Sequence, residues 1–157
     1  MVSKIRHADL GDEKYLTDLN AIVHELHQTQ RPDFFKSTNP VEVIDWFRSL
    51  LQKPTVRIWI AEENGSPIGY ILAHFHEQSE NPFCLARRWC EIDQIAVHPD
   101  FQNTGIGRTL IKKVITEARE EEIRDIELSV WYFNEQARLA FAHLGFIPKV
   151  IRYELEP

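Results

Sequence analysis

The stretch Gln102-Asn103-Thr104-Gly105-Ile106-Gly107 decides the fold of this chain, because it joins a predicted strand to a predicted helix. The strand covers residues 91–97, and the amphipathic helix covers residues 106–120. Two glycines two residues apart let the backbone fold closely around an anion. The helix start adds unpaired N–H groups and the positive end of the helix dipole. This context predicts a phosphate-binding loop, and a plain strand-to-helix turn is the alternative.

The neighbouring sequence makes this prediction more specific. Residues 95–107 resemble the acyl-CoA-binding signature of the GNAT superfamily of N-acetyltransferases, in which a strand with an apolar end is followed by Arg/Gln-x-x-Gly-x-Gly/Ala. Farther along the chain, Asn134-Glu135-Gln136-Ala137 and residues 141–146 resemble the family's Asn-x-x-Ala, aromatic and Gly-Phe run. The resemblance covers roughly residues 56–155. It implies one N-acetyltransferase domain over residues 1–157, with acetyl-CoA as the co-substrate.

Hydrophobic periodicity and turn residues predict an α/β fold. Asn39-Pro40 is typical of a helix start, with Glu42 placed to return a capping bond, Asn64-Gly65 of a hairpin turn and Gly145 of a helix end. The predicted elements are strand 2–6, a helix through residues 15–26 that ends at Arg31-Pro32-Asp33, helix 41–51, strands 56–62, 68–76 and 89–97, helix 106–120, strand 126–131, helix 134–144 and strand 146–155. Strands interrupted by helices after an antiparallel hairpin predict a mixed sheet. The resemblance implies the GNAT fold, a single-domain mixed central sheet with flanking helices, whose strands splay at the CoA site.

Composition limits the class of protein. The 157 residues fit one domain, and 43% hydrophobic and 27% charged residues are ordinary for a globular chain. No long apolar segment or leader-like sequence is present, so we expect a cytoplasmic protein that does not enter a membrane. The formal charge of −6 argues against nucleic acid as a partner. Cys84 and Cys90 are expected to be free thiols, and homodimer formation is left open.

Two carboxylates are the candidate catalytic groups. An amine with a pKa near 10.4 is neutral only about once in 2,500 molecules at pH 7, so acetyl transfer benefits from a base. Strand alternation places Glu91, Asp93, Ile95 and Val97 on one face. The family often carries its base on this strand, and the resemblance therefore implies Glu91 or Asp93, with Glu91 slightly preferred and water as the intermediary. The alternative is that both are solvated charges or partners of neighbouring arginines.

The resemblance also implies which residues contact acetyl-CoA. The amide of Ile95 or of a residue near it would hold the thioester carbonyl, the strand near Val97 would pair with pantetheine, and the amides of residues 102–108 would meet the pyrophosphate. Asn103 stands where the family usually has glycine, and Asn134 fits a pantetheine contact as well as a helix N-cap. The full set of expected contacts is Ile95, Ala96, Val97, Gln102, Asn103, Thr104, Gly105, Ile106, Gly107, Arg108, Asn134, Ala137 and Phe141.

Phe141 departs from the family, which commonly has a tyrosine here that is proposed to protonate the leaving thiolate. A thiol with a pKa near 8.5 lies about 1.5 units above neutral pH, a cost of roughly 2 kcal/mol, so transfer without an acid is slower but feasible. A noncatalytic CoA-binding or regulatory module is the competing interpretation. Neither cysteine falls in a nucleophile motif, so we expect direct transfer in a ternary complex.

The acceptor amine cannot be read from the sequence. The net negative charge of the chain suits polycationic acceptors such as polyamines or aminoglycosides, whereas Arg31, Arg87 and Arg88 suit an amine that carries a carboxylate. Residues 24–35 occupy the part of the chain from which the family usually builds its acceptor site. The pairs His24/His27 and His74/His76 have no third ligand at a recognised spacing, so no metal is expected.

Overall fold

The computed structural model describes residues 4–156, and the strands in this range form one mixed sheet in the order β1-β2-β3-β4-β5. Neighbours from β1 to β4 are antiparallel, and β5 runs parallel to β4. The elements are β1 Lys4–His7, α1 Glu13–Gln30, α2 Pro40–Leu51, β2 Val56–Glu63, β3 Ser66–Gln78, β4 Arg87–Val97, a 3-10 turn Pro99–Phe101, α3 Ile106–Glu120, β5 Asp125–Leu128 and α4 Glu135–His143. The predicted α/β class with a mixed sheet is confirmed. Within the described residues, no helix combines the length and apolar character needed to cross a membrane.

Helices cover both faces of the sheet, so that apolar side chains of alternating strand residues are buried on each side. On one face α1 and α2 bury a cluster that includes Leu16, Phe47, Ile60, Tyr70 and Leu72. On the other face α3 buries a cluster that includes Trp59, Ile71, Cys90, Leu110 and Val114, against which Phe141 and Leu144 of the α4 region also pack. The result is a three-layer α/β/α arrangement.

The turn and cap residues act as the sequence predicts. The Asn39 side chain accepts a hydrogen bond from the Val41 amide at 2.9 Å, although the return bond expected from Glu42 is not made within residues 4–156. Asn64 and Gly65 have φ values of 51° and 79°, which matches the two left-handed positions of a tight hairpin turn. Gly145 has φ 94°, and the amide of Phe146 reaches back to the Phe141 carbonyl at 3.1 Å, which closes α4 with a Schellman motif.

The last predicted strand is wrong. Residues 146–155 alternate like a strand, but in the structure they pair with no strand among the described residues. Phe146 packs against the α3-side core, but five apolar side chains after it are exposed: Ile147, Val150, Ile151, Tyr153 and Leu155. Alternation predicts which residues suit a sheet, whereas pairing also requires an available strand edge in the right place. The first strand was predicted over residues 2–6; residues 2 and 3 lie outside the described residues, and β1 runs on to His7.

β5 is shorter than predicted. It ends at Leu128 instead of continuing to residue 131, because its pairing with β4 ends where Leu128 lies beside Ile92. Trp131 instead packs against aromatic residues that follow α1. The apolar character of residues 126–131 therefore has two causes, a strand and an aromatic contact.

The start of α1 is fixed to the sheet by an arginine. Arg6 of β1 donates to both Asp12 carboxylate oxygens at 2.7 and 2.9 Å, and its Nε donates to Glu62 at 2.6 Å. Asp12 is 7% exposed. The hydrogen bonds from Arg6 lower the pKa of Asp12, although burial opposes this effect. A carboxyl whose folded pKa is lowered stabilises the fold above its ordinary pKa, and this contribution is lost as pH falls through the folded pKa.

We expect Asp12→Asn to lower the free energy of unfolding at pH 7 by roughly 1–3 kcal/mol, because Arg6 loses one of its two charged acceptors. The difference from wild type should shrink below about pH 4, where the wild-type carboxyl also takes up a proton. Urea unfolding at pH 7 and pH 3 measures both effects. Asp18→Asn is the matched control, since Asp18 is 61% exposed and its pair with Lys14 should contribute under about 0.5 kcal/mol. An equal loss at both pH values would contradict the role given to the Asp12 charge.

Candidate functional site

Strands β4 and β5 diverge halfway along β4. They are paired from Trp89 beside Asp125 to Ile92 beside Leu128, and β5 ends there. β4 remains paired with β3 up to Val97, which lies opposite Gly69. Residues 93–97 therefore have a strand neighbour on one side only within the described part of the chain. The predicted divergence of strands is confirmed, and it opens one edge of β4.

The backbone of β4 presents polar groups at this open edge. The His98 amide donates to the Ile68 carbonyl at 2.8 Å, so the Gly69–Val97 pair is a non-hydrogen-bonded pair of the antiparallel ladder. By the same alternation the amides of Val97 and Ile95 point away from β3, toward the gap beyond Leu128. Ala96 has the opposite orientation, so its amide belongs to the ladder with β3. The Val97 carbonyl also faces the gap, where it accepts a hydrogen bond from the Gln102 side chain at 3.1 Å.

The loop before α3 presents a run of unpaired amides. Asn103 has φ 61°, and Gly105, the residue before the helix, has φ 91°. Thr109 is the first residue whose amide bonds into the helix, to the Gly105 carbonyl at 3.0 Å. The amides of residues 103–108 donate no hydrogen bond within residues 4–156. Gln102 differs from the expectation for this loop, because its amide donates a hydrogen bond to the Pro99 carbonyl at 3.3 Å.

Close packing positions this helix start beside the open edge of β4. A Cβ atom on Gly69 would lie 3.0 Å from the Ala96 carbonyl oxygen and 3.5 Å from Ile106, so glycine lets α3 approach the sheet. A Cβ atom on Gly107 would lie 3.8 Å from the Ile95 side chain, an ordinary contact. No atom lies within 4 Å of a Cβ built on Gly105, so the left-handed backbone is what requires glycine at that position. The amides of the loop and those of β4 therefore face one region.

Three positive side chains of α3 follow the loop: Arg108, Lys112 and Lys113. Arg108 and Lys112 are exposed and form no ion pair within the described range, whereas Lys113 is paired with Glu117 one turn later. Arg108 lies in the first turn of α3, so it is the uncommitted cation nearer to the helix start. This region has the elements of an anion site: unpaired amides, a helix N-terminus and one uncommitted guanidinium.

A β-bulge separates the carboxylates from the apolar residues with which they were grouped. Leu72 of β3 lies opposite Gln94, whereas Ala73 lies opposite Ile92, so Asp93 is the extra residue of β4. Ile95 and Val97 pack on the α3 side of the sheet. The prediction that Glu91, Asp93, Ile95 and Val97 share one face is therefore wrong, because the extra residue reverses the alternation after position 92.

Glu91 and Asp93 themselves do lie on one face, the face that α1 and α2 cover elsewhere. Each is close to a histidine of β3: His74 Nε2 is 3.3 Å from Asp93 Oδ2, and His76 Nε2 is 3.7 Å from Glu91 Oε1. Both carboxylates are about two-fifths exposed, 40% for Glu91 and 41% for Asp93. The structure thus places both candidate bases on one face of β4, Asp93 at the start of the open edge and Glu91 in the part that is paired with β5.

A buried hydrogen-bond network adjoins Asp93. Gln94 accepts from the Tyr70 hydroxyl at 2.8 Å, and the Asn20 side chain of α1 donates to both groups at 3.0 and 3.3 Å. Burial raises the pKa of Tyr70, so its hydroxyl stays protonated as a donor. Asn20 also lines a surface depression of about 210 Å³ between α1, α2 and the chain that joins them. This network holds α1 at a fixed place next to the bulge.

An aromatic cluster lies where the chain after α1 meets the chain after β5. We call His24, His27, Phe34, Phe35, Trp131 and Phe133 the aromatic cluster. Arg31 lies 5.2 Å above the Trp131 ring and binds Asp33 and Glu154. Burial, and to a lesser degree His24, lower the pKa of His27. Residues from the predicted acceptor region thus contact the segment that leads from β5 to α4.

The chain is similar in sequence and in fold to known proteins. The acetyltransferase (GNAT) family matches residues 21–146, most of the chain. The chain belongs to the GNAT acetyltransferase family. An uncharacterized N-acetyltransferase of Methanocaldococcus jannaschii is 32% identical over 106 residues, which cover 68% of this chain and 46% of that protein. The chain spans about half the length of two such curated relatives.

Solved structures show the same fold. A tetramutant of a Bacillus halodurans protein is 26% identical, with a TM-score of 0.94 over 98% of this chain and 99% of that one. An aminoglycoside N-acetyltransferase solved in complex with CoA has a TM-score of 0.74 and 19% identity, over 98% of this chain and 95% of that one, and so shows the fold alone.

The second GNAT motif lies at α4. Asn134 is the N-cap of this helix, where its Oδ1 accepts from the Ala137 amide at 3.2 Å. The Asn134 Nδ2 group has no acceptor within residues 4–156, so capping leaves it available as a donor. Phe141 is half-buried, packs against the α3-side core and contacts the Phe146 ring at 5.9 Å. Tyr132, a tyrosine two residues before Asn134, is 82% exposed, and its ring lies under Arg138.

The cysteines and the metal-ligating side chains form no further reactive centre in the described chain. Cys84 and Cys90 are free thiols, as predicted. Burial raises the pKa of Cys90 to about 12, so this thiol is a poor nucleophile. No three His, Cys, Asp or Glu side chains of residues 4–156 are grouped as metal ligands would be.

Sequence reasoning missed the β-bulge and the histidine contacts of the carboxylates. The signal for the bulge was present, because the buried positions Cys90 and Ile92 are even-numbered, whereas Ile95 and Val97 are odd-numbered. A change of parity across the polar pair Asp93-Gln94 indicates one extra residue. The spacing of His74 and His76 was considered only for a metal, and their pairing with Asp93 and Glu91 depends on the register of β3 and β4.

Proposed function

We propose that this chain transfers the acetyl group of acetyl-CoA to a primary amine of a small molecule or peptide, directly within a ternary complex. The observation that carries this proposal is the run of unpaired amides at residues 103–108, next to the outward amides of Ile95 and Val97. Phosphate groups are recognised by such amides at helix N-termini, and an amide group of pantetheine suits an open strand edge. Membership of the GNAT family supports acetyl-CoA as the donor.

Each part of the donor has residues suited to it. The pyrophosphate would accept from the amides of residues 103–108, with Arg108 as a counter-charge, while Gln102 shapes the loop through its bond to Val97. Pantetheine would follow the edge of β4 near Val97 toward Asn134 and Ala137. The Ile95 amide would donate to the thioester carbonyl, where negative charge develops during attack. Ala96 contributes to this site through packing, because its own amide faces β3.

The reaction releases two protons from an ammonium acceptor. One leaves before attack, through water, to the basic group that Glu91 and Asp93 provide. The amine lone pair then forms the C–N bond, and the C–S bond breaks to release the CoA thiolate. The second nitrogen proton passes to that thiolate, which gives the thiol and a neutral amide. Because Cys90 is buried with a raised pKa, direct attack is favoured over an acetylated cysteine.

A noncatalytic CoA-binding module is the competing function, and Phe141 favours it because it has no proton to donate. A screen of amines with acetyl-CoA, read out by thiol release, separates the two. The panel should hold polyamines, aminoglycosides, amino acids and peptides with a free N-terminus. Acetylation of any class supports the enzyme, whereas CoA binding without turnover across the panel supports the module. The free cysteines are consistent with action in the cytoplasm.

We expect Gly105→Val to weaken CoA binding at least tenfold, because a β-branched residue cannot keep the loop at φ 91° and the amides lose their common direction. Calorimetric titration with CoA measures the effect, and circular dichroism checks the fold. Gly65→Val is the matched control: Gly65 also has a positive φ, 79°, and open space around its Cβ position, but it lies in the distant hairpin turn. Unchanged affinity in folded Gly105→Val would contradict the phosphate site.

We expect removal of the basic carboxylate to lower kcat/KM by about 100-fold or more at neutral pH. Glu91→Gln and Asp93→Asn are measured separately from pH 6 to pH 10. The rate should recover in part at high pH, where the amine loses its proton unaided. Asp45→Asn, on the exposed face of α2, is a control for loss of one negative charge. If neither Glu91→Gln nor Asp93→Asn changes the rate or its pH profile, the base lies elsewhere.

We expect Phe141→Tyr to raise kcat, because it adds a hydroxyl where the family commonly has one and so supplies a proton to the thiolate. The gain should shrink above about pH 8.5, where the thiolate no longer needs a proton. Measurement of kcat against pH, with the melting temperature, tests this. A drop in melting temperature would show that the half-buried hydroxyl lacks a partner. A stable variant with unchanged kcat from pH 6 to pH 9 would refute a rate limit set by the missing acid.

A further inference from the structure

His74 differs from the other histidines near the candidate bases because it is hydrogen-bonded to one of them. Its Nε2 lies 3.3 Å from Asp93 Oδ2. An ionised carboxylate can only accept hydrogen bonds, so Nε2 must carry the hydrogen and donate it. In the neutral ring Nδ1 then holds a lone pair, and Nδ1 has no hydrogen bond to the described chain. The His74 side chain is 26% exposed, so water and a solute can reach this region.

The second pair, His76 and Glu91, lacks these features. Its closest approach is 3.7 Å, which is too long for a hydrogen bond, and His76 Nε2 is buried without a partner in the described chain. The His76 ring is instead stacked between Trp89 at 4.7 Å and His74 at 5.8 Å. Packing on both sides fixes the His76 ring as a support for His74. The geometry therefore distinguishes a hydrogen-bonded histidine–carboxylate dyad, His74 with Asp93, from a histidine that is held by ring stacking, His76.

We propose that His74 is the general base of the acetyl transfer and that Asp93 positions it. This inference rests on the proposed function and revises one step of it: the proton assigned above to Glu91 and Asp93 passes instead to His74, and Asp93 keeps a positioning role. The ammonium proton passes to His74 Nδ1, directly or through one water, and the imidazolium is stabilised by the Asp93 carboxylate. The amine then attacks the thioester carbon as described above, and His74 returns its proton to water after the acetylated product has formed.

An imidazole suits this step better than a carboxylate does. Catalytic bases work best when their pKa lies near the working pH, and imidazole ordinarily titrates between about pH 5 and pH 8. A carboxylate, with an ordinary pKa near 4, is a weaker proton acceptor at neutral pH. The bulge has a clear purpose in this arrangement, because it directs Asp93 toward His74.

The strands next to His74 place several charged and titratable groups near it. β4 contributes Asp93 and Glu91, β3 itself contributes His76, and Glu127 of β5 lies in register beyond Glu91. On its other side His74 is opposite Val56 of β2. The α1 residue that hydrogen-bonds to this part of the sheet is the uncharged Asn20. The pair with Asp93 is the only hydrogen bond of the His74 side chain within residues 4–156.

The test combines kinetics with a structural measurement. We expect His74→Ala and Asp93→Asn each to lower kcat/KM about 100-fold at pH 7, with unchanged affinity for CoA and an unchanged melting temperature. The double variant should be little worse than either single one, because the two residues act as a unit. In wild type kcat/KM should fall at low pH, where the base already carries a proton. In His74→Ala this bend should vanish, so that the rate follows deprotonation of the amine, and added imidazole should restore activity in part.

Nitrogen-15 NMR of the imidazole groups tests the dyad without turnover. The wild-type signal of His74 should report hydrogen on Nε2. Asp93→Asn should change the proportion of rings that carry the hydrogen on Nε2 and not on Nδ1. His143→Ala, on the exposed last turn of α4, controls for loss of a histidine in both measurements. An active wild type whose rate and pH profile survive His74→Ala overturns this proposal alone. A His74 signal that reports hydrogen on Nδ1 also overturns it. A wild type that acetylates no amine overturns the proposed function and the role of His74 together.

Discussion

β4 is bonded to β3 along its full length but to β5 over four residues only, Trp89 to Ile92. This unequal pairing is the constraint on which the site depends. Backbone groups that leave a sheet need other partners, and here those of Ile95 and Val97 face a gap at the point where α3 begins. The same gap lets the Gln102 side chain reach the Val97 carbonyl and so shapes the loop. A strand edge and a helix N-terminus thus open into one space.

The bulge at Asp93 adds chemistry to this geometry. Without it, residues 91, 93, 95 and 97 would share a face, and the carboxylates would be in the apolar layer under α3. The extra residue keeps Ile95 and Val97 in that layer, while Glu91 and Asp93 stay on the face that carries His74 and His76. One inserted residue therefore places the polar groups on one side of the sheet and leaves the support for α3 intact on the other.

The sequence was sufficient for most elements of the fold, because each had a local cause. The N-cap Asn39, the turn Asn64-Gly65, the amphipathic run of α3 and the C-cap Gly145 act within a few residues of themselves. Predictions that depended on distant partners were less accurate. Residues 146–155 alternate correctly but find no strand edge, and β5 ends where the register with Ile92 ends.

The site shows the same division. Family motifs located the loop at residues 102–108 and the N-cap Asn134, and the loop amides are unpaired from residue 103 onward. The motif could not predict that the Gln102 amide donates to the Pro99 carbonyl, because this hydrogen bond depends on the 3-10 turn. The contacts of Asp93 and Glu91 with His74 and His76 depend on the register between β3 and β4, which one bulge shifts. Spacing along one strand cannot report a displacement relative to another strand.

The unpaired end of the chain is attached to the molecule by charge. Lys149 binds Glu127, which also binds Arg87, and Glu154 binds Arg31 beside the aromatic cluster. Lys149 and Glu154 are 60% and 63% exposed, so dissolved salt screens both attachments. Ionic strength should therefore affect how closely residues 149–154 follow the surface near Trp131. The surroundings of the predicted acceptor region should therefore be more loosely covered in concentrated salt than in dilute buffer, with the sheet and helices unchanged.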